Sequence, residues 1–132
     1  MHSSQALITG GAGLIGSIMI DKLGDKYEFS SLDLREADGV TSTIADLDDL
    51  EAITPVVDGI EAVVNLAEDR SPAGSWESIL KNNFVATYNV FEASKRAGVK
   101  RVIFASSNHA EGGFYLDAPW KHVNDGNFHL LE

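Results

Sequence analysis

A doubly wound parallel α/β sheet of about five strands is the architecture that this 132-residue sequence predicts, on three observations. Short β-branched apolar runs alternate with segments of helical apolar spacing from residue 5 to residue 105. A cluster of glycines stands between the first strand and the first helix. An acidic residue, Asp33, closes the second strand. Strands and helices in this alternation need crossover connections, which are right-handed and cover the sheet with helices.

Taken in order, residues 5–9 read as a strand running into Gly10, Gly11 and Gly13. Leu14, Ile15, Ile18, Met19 and Leu23 then recur at helical spacing until Gly24 stops them. Residues 28–32 form the second strand and residues 40–44 a third. Leu47, Leu50 and Ile53 share one face of a short helix behind Asp46, before Pro55 and a turn at Asp58 and Gly59. Residues 62–65 make a short buried strand. Ser75 is the N-cap of a helix over 76–97, with a stripe through Ile79, Phe84, Val85, Tyr88, Val90 and Phe91 expected to face the core. Lys95, Arg96 and Gly98 supply its basic last turn and glycine cap. Residues 101–105 are a fifth strand, apolar enough for a central place. Beyond Ser107 neither period is sustained, because Gly112, Gly113, Pro119, Asp125 and Gly126 interrupt the chain. One domain over residues 1–110 and an irregular tail over 111–132 are therefore expected.

Composition sets the function classes. With 44% hydrophobic and 23% charged residues the chain can fold around one core, and disorder is excluded. Ten Lys and Arg against twenty Asp and Glu give a net charge of −10, which disfavours nucleic acid and anionic membranes as partners. The absence of Cys removes disulfides, Cys-ligated zinc and thiol catalysis. No apolar run approaches the ~20 residues that span a bilayer, so a cytoplasmic protein is expected.

Gly10, Gly13 and Gly16 fall between a strand and a helix, the context in which glycine spacing is informative. A tight turn, a backbone approached closely by a pyrophosphate, and a helix N-terminus with free N–H groups form an anion cradle, although a glycine turn also serves plain strand-to-helix packing. Asp33, 17 positions after Gly16, stands where a carboxylate accepts hydrogen bonds from an adenosine ribose and repels a 2′-phosphate, favouring NAD over NADP. Arg35 lies two residues on and is able to hold that phosphate.

At these residues the sequence resembles the extended short-chain dehydrogenase/reductase family, the NAD-dependent epimerases and dehydratases of sugars, which have a Rossmann fold. Residues 9–16, Thr-Gly-Gly-Ala-Gly-Leu-Ile-Gly, match its cofactor turn and imply cofactor contacts from Gly10, Gly13, Leu14, Ile15 and Gly16. Asp46 and Leu47 resemble the pair that contacts the adenine, and Asn65, Leu66 and Ala67 the strand end where the backbone passes the cofactor. Residues 83–89 resemble a helix signature whose first Asn, here Asn83, is structural. Residues 104–107 resemble the fifth strand, where Ser107 aligns with the catalytic Ser or Thr. The run Ser106, Ser107, Asn108, His109 is most similar to the uronate dehydrogenases and related sugar dehydrogenases, which implies that Ser107 meets the reacting hydroxyl with Asn108 and His109 near the sugar.

The family's chemistry also needs a Tyr with a Lys four residues later, because a phenol with pKa near 10 is a poor base at neutral pH. Tyr27, Tyr88 and Tyr115 are followed at that distance by Ser31, Glu92 and Pro119. The expectation is an NAD-binding portion of a sugar oxidoreductase that stops before the catalytic helix, or a non-catalytic NAD-binding scaffold module acting through partners. The fifth strand would then be an uncovered edge, so a homo-oligomer is expected, or a tail folding back with Phe114, Tyr115, Trp120 and Phe128. His2, His109, His122 and His129 lack helix-borne metal spacing, so no metal is expected, and Ser107 lacks the glycines of a nucleophile elbow.

Overall fold

The computed structural model describes residues 4–71, 73–107 and 126. Five parallel strands make one sheet: β1 (Ser4–Thr9), β2 (Tyr27–Asp33), β3 (Thr41–Ile44), β4 (Ala62–Asn65) and β5 (Arg101–Phe104), in the order β3-β2-β1-β4-β5. The strand order reverses at β1, whose C-terminal end lies between those of β2 and β4 (Thr9 is level with Leu32 and with Asn65). Such a reversal opens a crevice beyond the strand ends.

The helices are α1 (Leu14–Leu23), α2 (Leu50–Ile53) continued by a 3-10 turn over Thr54–Val57, and a long element running from Trp76 to Ala97. Leu7 and Ile8 are adjacent in β1 and both fully buried, because successive side chains point to opposite, covered faces. On one face Leu7, Leu32 and Val63 pack with Leu47, Ile53, Val57, Ala86, Val90 and Ala93 in a single cluster. Burial of a side chain such as Val90 contributes roughly 1.5–3 kcal/mol. Asn89 ties that layer together, its Nδ2 donating to the carbonyls of Leu47 and Asp48, each at 2.9 Å.

Three expectations change. The helix over 76–97 is composite: α3 (Trp76–Ile79), a π-helical segment (Leu80–Val85) and α4 (Ala86–Ala97). The wider turn shifts the face that meets the sheet. The small residues Ala86, Ala93 and Ser94, with Asn89 and Val90, are buried, whereas Phe84, Tyr88 and Phe91 of the expected stripe are 59%, 63% and 43% exposed. In α1, Leu14, Ile15 and Ile18 are also exposed, and only Gly16 is buried. The fifth strand takes the uncovered edge expected of it and not the central place its apolar residues suggest, since among the described residues it pairs only with β4, and Ile103 and Phe104 are about half exposed. The end signals hold: Ser75 Oγ accepts from the Ser78 N–H at 3.2 Å, and Gly98 closes α4 in the left-handed region at φ 71°.

Candidate functional site

A cleft of about 440 Å³ lies beyond the C-terminal ends of the strands. Gly10, Gly13, Leu14, Ile15, Gly16, Asp33, Asp46, Leu47, Leu66 and Ala67, the residues singled out for a dinucleotide, all line it. Leu34, Arg35, Glu68, Asp69, Arg70, Asn82 and Ala105 line it as well.

The turn between β1 and α1 is shaped first by backbone bonds. The Gly10 N–H donates to the Leu32 carbonyl and the Gly13 N–H to the Gly10 carbonyl, each at 3.0 Å. Gly10 takes φ +74°, and a Cβ there would stand 2.9 Å from the Ala67 nitrogen, so both the turn and the approach of β4 require glycine. A Cβ on Gly16 would stand 2.6 Å from the Gly10 carbonyl oxygen and 2.7 Å from the Gly11 Cα. Gly13 differs: at φ −80° its Cβ would meet only the Gly10 oxygen, at 3.1 Å. The fold asks less of Gly13 than of Gly10 or Gly16, since a few tenths of an ångström of movement in the Gly10 carbonyl would admit a Cβ, and the space above it belongs to the cleft. The α1 N-terminus that follows has neither a side-chain cap nor an acid in its first turn, so its dipole faces the cleft uncompensated. An open backbone at Gly13 beside such a helix end fits a pyrophosphate.

At the β2 end, Asp33 and Arg35 grip one peptide. The Ala12 N–H donates to Asp33 Oδ2 at 3.0 Å, and Arg35 Nη2 donates to the Ala12 carbonyl at 2.8 Å. Asp33 Oδ1 accepts from the Leu34 N–H at 2.6 Å. Both carboxylate oxygens keep lone pairs for a ribose diol, and the guanidinium is turned toward the glycine turn. Lys81 Nζ, from the π-helical segment, bridges Asp46 at 2.7 Å and Asp48 at 3.3 Å on the loop after β3. The Lys81 hydrogen bond holds the Asp46 carboxyl below the usual carboxylate range against the opposing effect of burial, and Asp46 and Asp48 raise Lys81 in turn.

The loop after β4 is held by side chains. Thr9 Oγ1 accepts from the Leu66 N–H at 3.2 Å and the Ala67 N–H at 3.4 Å, while donating to Asn65 Oδ1. Asn83 Oδ1 accepts from the Asp69 N–H at 2.7 Å, and its Nδ2 donates to the Asp69 carbonyl at 3.0 Å. The Asp69 carboxylate accepts from the Ser78 hydroxyl and, at 2.9 Å, from the Ser71 N–H; these two donors, the hydroxyl first, hold its carboxyl below the usual range. The sequence reading missed Thr9, Asp69 and Arg70. For Thr9 a usable signal exists, a hydroxyl residue one position before the turn glycine, where the strand ends converge.

Ser107 is exposed and lies just past Ala105, which lines the cleft. Asn108 and His109, all four histidines, and the aromatics expected to fold back lie outside the described residues. Among the described residues no three His, Cys, Asp or Glu are grouped to hold a metal ion, and no helix is long and apolar enough to cross a membrane.

Residues 6–117 match the NAD dependent epimerase/dehydratase family. An NAD-dependent glucose-6-phosphate dehydrogenase of Haloferax volcanii is 38% identical over 117 residues, covering 82% of this chain and 45% of its own length. An L-arabinose 1-dehydrogenase (NAD(P)(+)) of the same organism is 36% identical over 106 residues, covering 80% and 42%. Among solved structures, a mutant of uronate dehydrogenase from Agrobacterium tumefaciens complexed with NAD superposes with a TM-score of 0.73 at 33% identity, over 80% of this chain and 42% of that one. The chain thus spans less than half the length of these relatives.

Proposed function

Since this chain belongs to the NAD-dependent epimerase/dehydratase family, we propose that it is the NAD-binding portion of a sugar or sugar-nucleotide oxidoreductase. The observation that carries the proposal is the convergence of Gly13, the α1 N-terminus and Asp33 on one cleft at the point where the strand order reverses. Asp33 takes the ribose hydroxyls of the adenosine, and its charge disfavours a 2′-phosphate. Gly13 and the first turn of α1 take the pyrophosphate. Asp46 and Leu47 border the adenine, and Leu66 and Ala67 flank the cofactor toward β5. Bound NAD supplies a hydride acceptor. Ser107 is assigned to the reacting sugar hydroxyl, with Asn108 and His109 beside it. Removal of that hydroxyl's proton is assigned to no residue of these 132, because no Tyr here has a Lys four positions on. The exposed Phe84, Tyr88, Phe91 and Phe104 form an apolar face, with the Phe91 and Phe104 rings 6.2 Å apart, and this supports self-association into a homo-oligomer.

Calorimetric titration with NAD and NADP tests the cofactor reading. NAD binds more tightly than NADP; Gly13→Ala weakens NAD at least about tenfold without unfolding the chain, and Asp33→Ala narrows the gap between the two cofactors. A wild-type chain that binds neither dinucleotide refutes it. Light scattering that reports a monomer at all concentrations refutes the oligomer.

A further inference from the structure

We propose that Arg70 is the residue with which this cleft holds an oxyanion, a carboxylate or a phosphate, carried by its sugar substrate. The inference rests on the NAD-and-sugar reading above and goes beyond it to the substrate's charge. Two observations carry it: among the described residues every other cation of the cleft is engaged, and the loop bearing Arg70 is fixed while its side chain is not.

Among the described residues, Arg35 and Arg70 are the two cationic side chains lining the cleft, against Asp33, Asp46, Glu68 and Asp69. Arg35 is spent on the Ala12 carbonyl, and Lys81 nearby is spent on Asp46 and Asp48. Arg70 makes no hydrogen bond or ion pair among the described residues. Yet the residues on either side of it are held. The Asp69 peptide is gripped at its N–H and its carbonyl by Asn83, and the Asp69 carboxylate takes the Ser71 N–H and the Ser78 hydroxyl. Three hydrogen bonds to backbone atoms and one to the Asp69 carboxylate thus fix the loop around an arginine that has none of its own among the described residues. A preorganised loop presenting one uncommitted guanidinium is suited to a ligand, and a guanidinium meets a carboxylate or phosphate with paired hydrogen bonds.

The position of Arg70 separates the substrate from the cofactor. From β2 to β5 the cleft runs past Asp33, the glycine turn, Leu66 and Ala67, and then Ala105, which precedes Ser107. The pyrophosphate has its own donors at the α1 N-terminus, over β1. Arg70 belongs to the β4 loop, beyond that point and toward the sugar. In a chain of net charge −10, with Glu68 and Asp69 adjacent, an acidic sugar would be repelled from this end of the cleft unless a cation met it. Neutral sugars need no such group.

The test titrates the NAD-saturated chain with D-glucuronate, D-glucose 6-phosphate and D-glucose, as wild type, Arg70→Gln and Arg70→Lys. The expected result is that one of the two anionic sugars binds about tenfold more tightly than glucose and that Arg70→Gln erases the margin. NAD affinity and the urea midpoint stay unchanged, and Arg70→Lys restores part of the margin. The anion that shows the margin identifies the group as carboxylate or phosphate. No margin in the wild type, or a margin that survives Arg70→Gln, overturns the proposal. A loss of NAD affinity in Arg70→Gln also overturns it, by assigning Arg70 to the pyrophosphate. The NAD titration is performed first, so failure of the wild type to bind NAD identifies the cofactor reading as the one that fell, and this inference with it.

Discussion

The two loops that meet at the cleft are built on opposite plans. The β1–α1 turn is shaped chiefly by backbone bonds and by what its glycines lack, with Asp33 and Arg35 gripping only its Ala12 peptide: the Gly10 N–H bonds to Leu32, the Gly13 N–H to Gly10, and any Cβ on Gly10 or Gly16 would collide with backbone. The β4 loop from Leu66 to Ser71 is held by side chains that belong to other elements, Thr9 of β1, Asn83 of the π-helical segment and Ser78 of α3. A turn encoded in its own residues can be recognised wherever it occurs. A loop encoded in its neighbours takes shape only once those neighbours are in place.

Substitutions within each plan test this contrast. The largest effect is expected from Gly16→Ala, whose Cβ has 2.6 Å to the Gly10 oxygen and 2.7 Å to the Gly11 Cα. Two rigid backbone segments would have to separate, at a cost of about 3 kcal/mol in urea unfolding. Gly13→Ala, three positions away, changes stability little and acts on NAD affinity instead. Equal destabilisation by the two would show that both glycines serve packing alone. Next comes Asn83→Ala, which strips two hydrogen bonds from the Asp69 peptide and costs about 2 kcal/mol. Amide exchange at Asp69 and Ser71 should quicken while Gly10 and Gly13 stay protected. Acceleration at both loops together would mean that the cleft behaves as one unit.

The smallest effect concerns the Asp46–Lys81 pair beside the cleft. Asp46 has its folded pKa lowered, so its contribution is present above the ordinary carboxylate range and is lost as pH falls through the lower folded value. Lys81 is raised, so its contribution persists at lower pH and is lost as pH rises through its folded value. Between those limits stability should be flat with respect to this pair. Asp46→Asn should cost roughly 0.5 kcal/mol, since the Asp46 side chain is about a third exposed and screened by solvent. A loss several times larger at neutral pH would place this pair among the structural determinants of the fold.

The same distinction explains what was legible beforehand. All five strands, the glycine turn, Asp33, the Ser75 cap and the Gly98 cap follow from period, propensity and terminal chemistry, which are local. The burial of the helix over 76–97 does not, because a π-helical turn between Leu80 and Val85 interrupts it and because α4 carries two faces of the same period, of which the sheet takes Ala86, Asn89, Val90, Ala93 and Ser94. Phe84, Tyr88 and Phe91 look like core residues in the sequence, yet in the fold the sheet accepts the small side chains of Ala86 and Ala93. The apolar residues of β5 point by themselves to a central place, since they do not reveal which side of a strand is paired; its edge position was legible only from the absence of a Tyr with a Lys four residues on.

By itself, then, the sequence determined the parallel α/β order, the glycine turn and the acidic end of β2, because each depends on residues close along the chain. The tertiary structure alone decided which of Gly10, Gly13 and Gly16 the fold can do without, that the β4 loop is anchored by Asn83 across 14 positions and by Thr9 across 57, and that Arg70 is left with no partner among the described residues. Those are facts of distance between segments, and only packing brings the segments together.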